Sequence, residues 1–157
     1  MQQSDSVVYM TKVTPIRELY THTAVSTLRD RFGYENIHAV PKIEKVVVNV
    51  GVGKIHKENQ VIEAIAQDLA MITGQKPSTV NAKKAIAGFK IRQGAPSGLK
   101  VTLRGPRMWD FLDRLVHVAL PRTRDFQGIP ISSVDAGGNL NIGIREHTIF
   151  PEIRPER

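Results

Sequence analysis

The chain has 157 residues, of which 41% are hydrophobic and 24% charged, and its formal net charge is +7. This size and composition predict a folded domain with a hydrophobic core and exclude a disordered or membrane-embedded chain. The absence of cysteine excludes disulfides and thiolate metal sites, and the basic balance favours an anionic partner.

The N-terminal part predicts an extension followed by an amphipathic helix. Residues 1–13 are polar and lack the basic start and apolar core of a signal peptide, so we expect a flexible extension. Thr14 is predicted as the N-cap of the helix and Pro15 as its first residue. The apolar residues recur at helical spacing up to Gly33; they are Ile16, Leu19, Tyr20, Ala24, Leu28 and Phe32.

A valine-rich strand and a second helix follow. Residues 43–53, IEKVVVNVGVG, predict a strand whose alternation places Val46, Val48 and Val50 in the core. The opposite face then carries Lys45, Val47 and Asn49. The second helix is predicted over residues 59–73 and ends at Gly74. Its apolar stripe consists of Val61, Ile62, Ile65, Leu69 and Ile72.

Two further strands flank a basic, glycine-rich segment. A short strand is predicted over residues 78–82, and the glycines that follow it indicate a long excursion before the next strand. That strand, LKVTLR at residues 99–104, alternates cleanly. Its inward residues are Leu99, Val101 and Leu103, and its outward residues are Lys100, Thr102 and Arg104.

The C-terminal third predicts one helix and one hairpin. Gly105 and Pro106 begin the helix, Pro121 ends it, and Asp110 is expected to pair with Arg114 on its surface. The predicted buried side consists of Met108, Trp109, Leu112, Leu115, Val116 and Ala119. Residues 131–134 and 140–145 predict a hairpin, with Gly137 and Gly138 supplying positive φ angles in its turn.

These elements predict an α+β fold in which residues 14–157 form a single domain. Helices cover one face of a mostly antiparallel sheet, and the other face is free for a partner. The free face should present Lys45, Asn49, Lys100, Thr102 and Arg104.

The basicity of the chain is local. No Asp or Glu lies between Asp68 and Asp110, an interval with eight basic residues. A solvated charged surface is the alternative, but such surfaces normally intersperse both signs. The interval therefore favours polyanion binding. Its basic residues are Lys76, Lys83, Lys84, Lys90, Arg92, Lys100, Arg104 and Arg107.

The kind of polyanion follows from what else the sequence offers. Aromatic residues make up 6% and are predicted mostly on helix core faces, so base stacking in the manner of an RRM or OB fold is not supported. No helix combines basic residues with a turn suited to the major groove. The interpretation that remains is recognition of structured RNA by its shape and backbone. Residues 14–157 are therefore predicted to form a single RNA-binding domain.

An enzyme is the competing interpretation. The turn NVGVGK resembles a phosphate-binding loop, but His56 stands where a dinucleotide site needs glycine, and Val48 and Ile55 do not fit a Walker motif. The five histidines have no paired ligand spacing, so we expect no metal site and no cofactor. The alternative function is an RNA-processing or nucleotide-using enzyme with a phosphate site at the Gly51–Gly53 turn. A membrane-surface protein would need a basic amphipathic helix, which is absent.

The sequence resembles a known family over residues 15–153. The matching stretches are PKIEKVVVNVGVG, DLAMITGQKP, KKAIAGFKIRQGAPSGLKVTLRG, RMWDFLDRL, ALPRTRDFQG and GNLNIGIREHTIFPEI. They are similar to the bacterial-type large-subunit ribosomal protein five, the 5S rRNA-binding family. The resemblance implies an α+β fold, a structural role without catalysis, and a location in the ribosome of the cytoplasm or of an organelle.

The resemblance also implies partners and contact residues. The partners are 5S rRNA in the central protuberance, peptidyl-site tRNA, and other ribosomal proteins including small-subunit protein thirteen at an intersubunit bridge; no membrane or small-molecule substrate is expected. Together with the strand alternation it assigns 5S rRNA binding to Asn49, Gln75, Lys100, Thr102 and Arg104. The implied tRNA-contacting loop comprises Gly88, Phe89, Lys90, Ile91, Arg92, Gln93 and Gly94. A further basic patch comprises Lys45, Lys76, Lys83, Lys84 and Arg107.

One departure concerns the C-terminus. Family members continue after FPEI with a further strand and a helix, whereas this sequence stops at RPER. A missing strand would leave a sheet edge unpaired. We therefore expect the isolated chain to be marginally stable and to gain stability from bound RNA.

Overall fold

The structure is a computed structural model that describes residues 14–55, 58–89, 91–124 and 126–153. Contacts within the chain divide it into two compact units, Met1–Pro41 and Lys42–Arg157. The predicted extension over residues 1–13 and the predicted loop residue Lys90 lie outside the described residues. The assignment of residues 14–157 to one RNA-binding domain stays a prediction.

In its described residues, the first unit forms helix α1, built from three consecutive segments: Ile16–Leu19, a π-helical Tyr20–Ala24, and Val25–Phe32. Pro15 occupies the N-cap position, so the prediction that Thr14 caps the helix was wrong by one residue. Gly33 ends α1 in the left-handed conformation with φ 67°, as predicted. A short 3₁₀ turn, Ile37–Ala39, follows.

The predicted apolar face of α1 is only partly confirmed. Ile16, Tyr20 and Leu28 are half-buried, and the Tyr20 hydroxyl donates to the carbonyl oxygen of Pro41 at 3.0 Å. Leu19 and Phe32 are instead exposed, at 43% and 61%. Phe32 keeps the spacing of this face, four residues after Leu28, but it is the last residue of the helix, directly before Gly33, so the pattern does not show whether its side chain is covered.

The second unit contains a three-stranded antiparallel sheet. Its strands are β1 (Val46–Gly51), β2 (Ser78–Asn81) and β3 (Pro96–Leu103), in the order β1-β3-β2. Val46 lies opposite Leu103, and Asn49 and Ser78 both lie opposite Lys100. The central strand β3 is therefore the one that both edge strands contact.

Two helices pack on this sheet. Helix α2 spans Asn59–Thr73 and ends at Gly74 with φ 67°, as predicted. Helix α3 begins at Pro106 and consists of Pro106–Arg114, a π-helical Leu115–Ala119, and Leu120–Arg122. The predicted stop at Pro121 is off by one residue, because the proline stands early in the last short segment, where a missing N–H is tolerated. Further 3₁₀ turns are Gly53–Ile55, Ala87–Phe89, Ile131–Ser133 and His147–Ile149.

The core lies between the sheet and these helices, which confirms the α+β class. The inward residues Leu99, Val101 and Leu103 are at most 2% exposed, as the alternation predicted. Val61 and Val116 were predicted on buried helix faces and are exposed, which was wrong. The main contributors from the helices and the C-terminal segment are Leu69, Ile72, Met108, Phe111, Leu115, Ala119, Ile149, Phe150 and Ile153.

The segment after α3 differs from the predicted hairpin. A single antiparallel bridge joins Val134 to Leu140 in the described part of this segment. Of the two turn glycines, Gly138 has a positive φ of 77°. The Asp135 carboxylate accepts hydrogen bonds from the Gly137 N–H at 2.9 Å and the Asn139 N–H at 2.8 Å. These local bonds fix the turn, while residues 131–133 form a 3₁₀ turn instead of a strand.

Arg114 has a different partner from the one predicted. Its guanidinium lies 2.6 Å from the Glu152 carboxylate, and its Nε donates to the backbone carbonyl oxygen of Asp110 at 3.3 Å. The pair joins α3 to the segment that contains the buried Ile149 and Ile153. It is a long-range contact rather than a helix-surface pair.

Candidate nucleic-acid interface

The sheet face opposite the helices carries rows of cross-strand neighbours. One row joins Asn49, Lys100 and Ser78 across all three strands, and the next joins Val47 to Thr102. Asn49, Lys100 and Ser78 are exposed, and Thr102 is half-buried. The structure therefore brings together three of the predicted contact residues on one face.

The longer row offers three different polar groups. The Ser78 hydroxyl donates to the Lys100 carbonyl oxygen at 3.2 Å, which ties the edge strand to the centre of the sheet. Lys100 contributes a point charge and Asn49 a carboxamide that both donates and accepts. Lys100 and Asn49 can donate to phosphate oxygens, and the Ser78 oxygen, whose proton is used within the sheet, can accept from a ribose hydroxyl.

Gly98 keeps this face open beside Asn49. A Cβ atom at Gly98 would lie 3.1 Å from the Val50 carbonyl oxygen and 3.6 Å from the Asn49 Oδ1. A side chain here would press on the neighbouring strand and on the carboxamide. The glycine therefore permits both the close strand pairing and the position of Asn49.

One end of the sheet collects four of the predicted residues. Strand β1 begins, β3 ends and β2 begins at this end, because both pairings are antiparallel. Arg104 directly follows β3 and is exposed. Lys45 directly precedes β1, and Gln75 and Lys76 precede β2. We call the polar row the three residues Asn49, Lys100 and Ser78. Together with this row and with Thr102 of the next row, the residues at this end form the anchor region: Lys45, Asn49, Gln75, Lys76, Ser78, Lys100, Thr102 and Arg104.

A buried hydroxyl fixes the turn that carries Gln75. Thr73 is 2% exposed, and its Oγ1 lies 2.7 Å from the Leu69 carbonyl oxygen and 3.0 Å from that of Gln75. The same oxygen accepts from the Gln75 N–H at 3.4 Å. The exit from α2 towards β2 is thereby held in one conformation, with Gln75 half-buried.

The predicted long excursion is a hairpin. Ala82 N–H donates to the Ala95 carbonyl oxygen at 2.9 Å, and Ile86 and Ile91 exchange backbone hydrogen bonds of 3.0 and 3.2 Å. A 3₁₀ turn, Ala87–Phe89, follows Ile86. We call residues 82–95 the basic hairpin. It extends the β2–β3 pair beyond the sheet, at the end opposite to Arg104.

The basic hairpin contacts the turn after β1 through Ile91, which pairs with Ile86 next to the tip of the hairpin. The Ile91 Cδ1 lies 3.5 Å from the position that a Cβ at Gly53 would take. Val52, which is fully buried, donates from its N–H to the Ser97 carbonyl oxygen at 3.0 Å. The glycine turn that resembled a phosphate loop therefore faces an isoleucine side chain at Gly53.

The described basic residues that are predicted to contact RNA are solvated. Each of those predicted to contact RNA is exposed, and in the described part of the chain none of them forms an ion pair. Their charge is thus not neutralised by nearby carboxylates. They are Lys45, Lys76, Lys83, Lys84, Arg92, Lys100, Arg104 and Arg107.

These charges fall into two regions rather than one patch. Strand β3 spans Pro96–Leu103, so its ends are roughly 23 Å apart at the usual rise per residue. Lys83, Lys84 and Arg92 belong to the basic hairpin at one end, whereas Lys100 and Arg104 lie towards the other. Arg107, in the first turn of α3, follows the anchor end.

Across the described ranges, no three His, Asp or Glu side chains converge as metal ligands would. None of the helices within those ranges is long and apolar enough to cross a membrane.

Sequence reasoning missed two features of this face. Ser78 was not assigned to the polar row, because a four-residue strand is too short for its alternation to show a face. Gly98 was read as part of a loop, although the structure places it within β3. The available signal for Gly98 was its two-residue spacing from Lys100, which puts both on one face.

Comparison with known proteins covers most of the chain. A family model described as "Ribosomal protein L5" matches residues 36–92, and a second model, which describes the C-terminus of the same ribosomal family, matches residues 96–157. The "Large ribosomal subunit protein uL5" of Halothermothrix orenii is 54% identical over 142 residues, which is 90% of this chain and 79% of that protein. The protein of the same name from Colwellia psychrerythraea is 49% identical, with 90% and 78% covered. That of Synechocystis is 54% identical, with 88% and 77% covered.

Proposed function

Because this chain belongs to the ribosomal protein L5 family, whose members are structural components of the large ribosomal subunit, we propose that it binds 5S rRNA in the central protuberance. The proposed contact surface is the anchor region. Its role is to hold RNA in place, and no catalytic step is involved.

The polar row of Asn49, Lys100 and Ser78 carries this proposal. Its groups lie side by side on three paired strands, so their spacing is set by the sheet and not by flexible loops. An RNA backbone that lies across the strands meets an amide, an ammonium and a hydroxyl in succession. Thr102 and Arg104 extend the same face along β3.

The basic hairpin is the proposed contact for peptidyl-site tRNA. Arg92 and Gln93 are exposed near its tip, and Gly94 has a φ of 82° that turns the chain back into the stem. Ile91, also proposed as a contact, packs on the turn at Gly53. Lys90 and the Phe89 side chain, also proposed as contacts, lie outside what the structure describes.

Other ribosomal partners are part of the proposal. Contact with small-subunit protein thirteen at an intersubunit bridge is proposed for the assembled ribosome, without assigned residues. The proposed location is the ribosome of the cytoplasm or of an organelle. The rival function, an enzyme with a phosphate site at the Gly51–Gly53 turn, gains no support, since Gly53 faces Ile91.

A pair of matched arginine variants tests the proposal. Arg104→Ala should weaken 5S rRNA binding about tenfold, because a charge-assisted hydrogen bond to phosphate is lost. Arg92→Ala should leave 5S rRNA binding within twofold and weaken tRNA binding at the peptidyl site of reconstituted ribosomes. Filter binding measures the first effect and tRNA retention the second.

Arg17→Ala and Lys54→Ala are the controls. Arg17 is an exposed arginine of α1 outside the proposed surfaces, and its loss should change neither measurement. Lys54 belongs to the glycine turn of the rival interpretation. Loss of 5S rRNA binding in Lys54→Ala together with full binding in Arg104→Ala would reject the anchor region and favour the rival.

A further inference from the structure

An exposed aromatic cluster lies at the C-terminal end of α1. Phe32 is 61% exposed, although the helical pattern placed it on an apolar face. Its ring centroid is 6.1 Å from that of Tyr34, with the planes tilted by 41°. An exposed phenylalanine ring is the kind of surface on which a nucleobase stacks.

The backbone fixes this cluster in place. The Arg29 carbonyl oxygen accepts from the Gly33 N–H at 2.8 Å and from the Tyr34 N–H at 3.3 Å. Gly33 supplies the left-handed conformation that reverses the chain between the two rings. The rings are therefore held on an ordered turn, so little conformational entropy is lost when a ligand binds.

The Arg31 guanidinium lies beside the Phe32 ring. The Arg31 guanidinium carbon lies 5.9 Å from its centroid, within cation–π range. Arg29 is three residues before Phe32 and so shares its side of the helix, whereas Asp30 points to the other side. The ring face thus combines an apolar plane with positive charge.

We infer that Phe32, with Tyr34 and Arg31, is a stacking site for an unpaired nucleobase of RNA. The base covers the exposed face of Phe32, and Arg31 binds the phosphate of the same or the adjacent nucleotide. This site is in the first unit and differs in chemistry from the anchor region, which offers no exposed aromatic ring. The inference rests on the proposed function only in taking RNA as the partner.

A fluorescent single strand tests the inference with the full chain. The probe is a short single-stranded RNA with one 2-aminopurine, whose fluorescence falls when it stacks on an aromatic ring. Phe32→Leu keeps an apolar side chain but removes the ring, and should weaken binding roughly five- to thirty-fold and abolish the quenching. Phe32→Tyr should bind within twofold of the original chain.

Two further variants and one further RNA complete the test. Leu19→Ala removes another exposed apolar residue of α1 and should have no effect. Arg31→Gln, a solvent-side change that does not threaten folding, should weaken binding several-fold and make it less salt-dependent. A blunt duplex of the same sequence should bind equally to the original chain and to Phe32→Leu.

The outcomes separate this inference from the proposed function. Phe32→Leu should leave the salt dependence of 5S rRNA binding unchanged, since the ring carries no charge, whereas Arg104→Ala should reduce it. Equal single-strand affinity of Phe32→Leu and the original chain, or no quenching by the original chain, would overturn the stacking site. Neither result bears on 5S rRNA binding by the anchor region.

Discussion

Lys100 and Asn49 have different proposed roles in the anchor region. Lys100 stands in the central strand with a neighbour on each side, Asn49 and Ser78. The ammonium supplies attraction at a distance, while the carboxamide and hydroxyl supply directed hydrogen bonds at contact. The absence of a side chain at Gly98 leaves room beside Asn49, because any side chain there would press on the Val50 carbonyl oxygen.

Asp135 gives a residue-scale prediction of pH dependence. Hydrogen bonds from the Asn139 side chain, the Asn139 N–H and the Gly137 N–H hold the pKa of this exposed carboxyl below its ordinary value of 3.8. Because the folded pKa is depressed, the carboxylate stabilises the turn fully above the unfolded pKa. That stabilisation is lost as the pH falls through the folded pKa.

Amide NMR shifts of Gly137 and Asn139 measure this effect. We expect them to be constant from neutral pH down to about pH 4 and then to move towards unstructured values. Asp135→Asn, which has no titrating group, should show no such step at these two amides. A step above about pH 5 in the original chain would contradict the expected direction of the pKa shift.

Among the elements, the Arg114–Glu152 contact allows an energetic prediction. It joins α3 to the C-terminal segment, with the two side chains 34% and 25% exposed. Such partial burial strengthens the pair beyond a fully solvated one. A double-mutant cycle with Arg114→Ala and Glu152→Ala should give a coupling of about 1 kcal/mol in denaturant unfolding.

The Asp113–His117 pair is the matched comparison for that cycle. It is also on α3, with a longer separation of 3.8 Å and one turn between its members. Its coupling at neutral pH should be smaller, at most about 0.5 kcal/mol. Equal coupling energies would show that the Arg114–Glu152 contact stabilises the fold no more than a pair within one helix does.

Elements with long periodic patterns were predictable from the sequence, and those shaped by irregular turns were not. The bounds of α2 and the alternation in β1 and β3 follow from residue spacing alone. The exposure of Phe32 does not, because spacing assigns the last residue of a helix to a face without showing whether another element covers it. The hairpin after α3 was misjudged because the Asp135 side chain satisfies the turn without a strand ladder beyond one bridge.

The candidate site was predictable to the extent that strand alternation defines it. Asn49, Thr102 and Arg104 were placed on the free face by periodicity and by family resemblance independently. The cross-strand register that sets Asn49 beside Lys100 could be read only from the structure, because the pairing of two distant segments gives no signal in the local sequence. The same holds for the contact of Ile91 with the turn at Gly53.

At the scale of the whole second unit, the separation of the two basic regions predicts the salt dependence of 5S rRNA binding. Four cations belong to the anchor region: Lys45, Lys76, Lys100 and Arg104. If each neutralises one phosphate, the slope of log affinity against log salt is about −3, since each contributes about −0.7. Participation of all eight basic residues would give about −6 instead.

Titrations of the original chain and of Arg92→Ala measure this slope. The two should agree, because Arg92 belongs to the basic hairpin and lies outside the anchor region. Arg104→Ala should reduce the slope by about 0.7. A slope near −6 that falls in Arg92→Ala would show that 5S rRNA covers both ends of the sheet.

The antiparallel pairing of β3 has a mechanical consequence. The strand continues from the basic hairpin to Arg104, and it is bonded to β1 over six residue pairs from Val46 to Gly51. A pull on the hairpin tip along the strand axis loads these bonds in shear, so they share the force instead of breaking one after another. The two proposed ligands, at opposite ends of the sheet, would thus be connected along the strand axis, where the paired strands resist extension together.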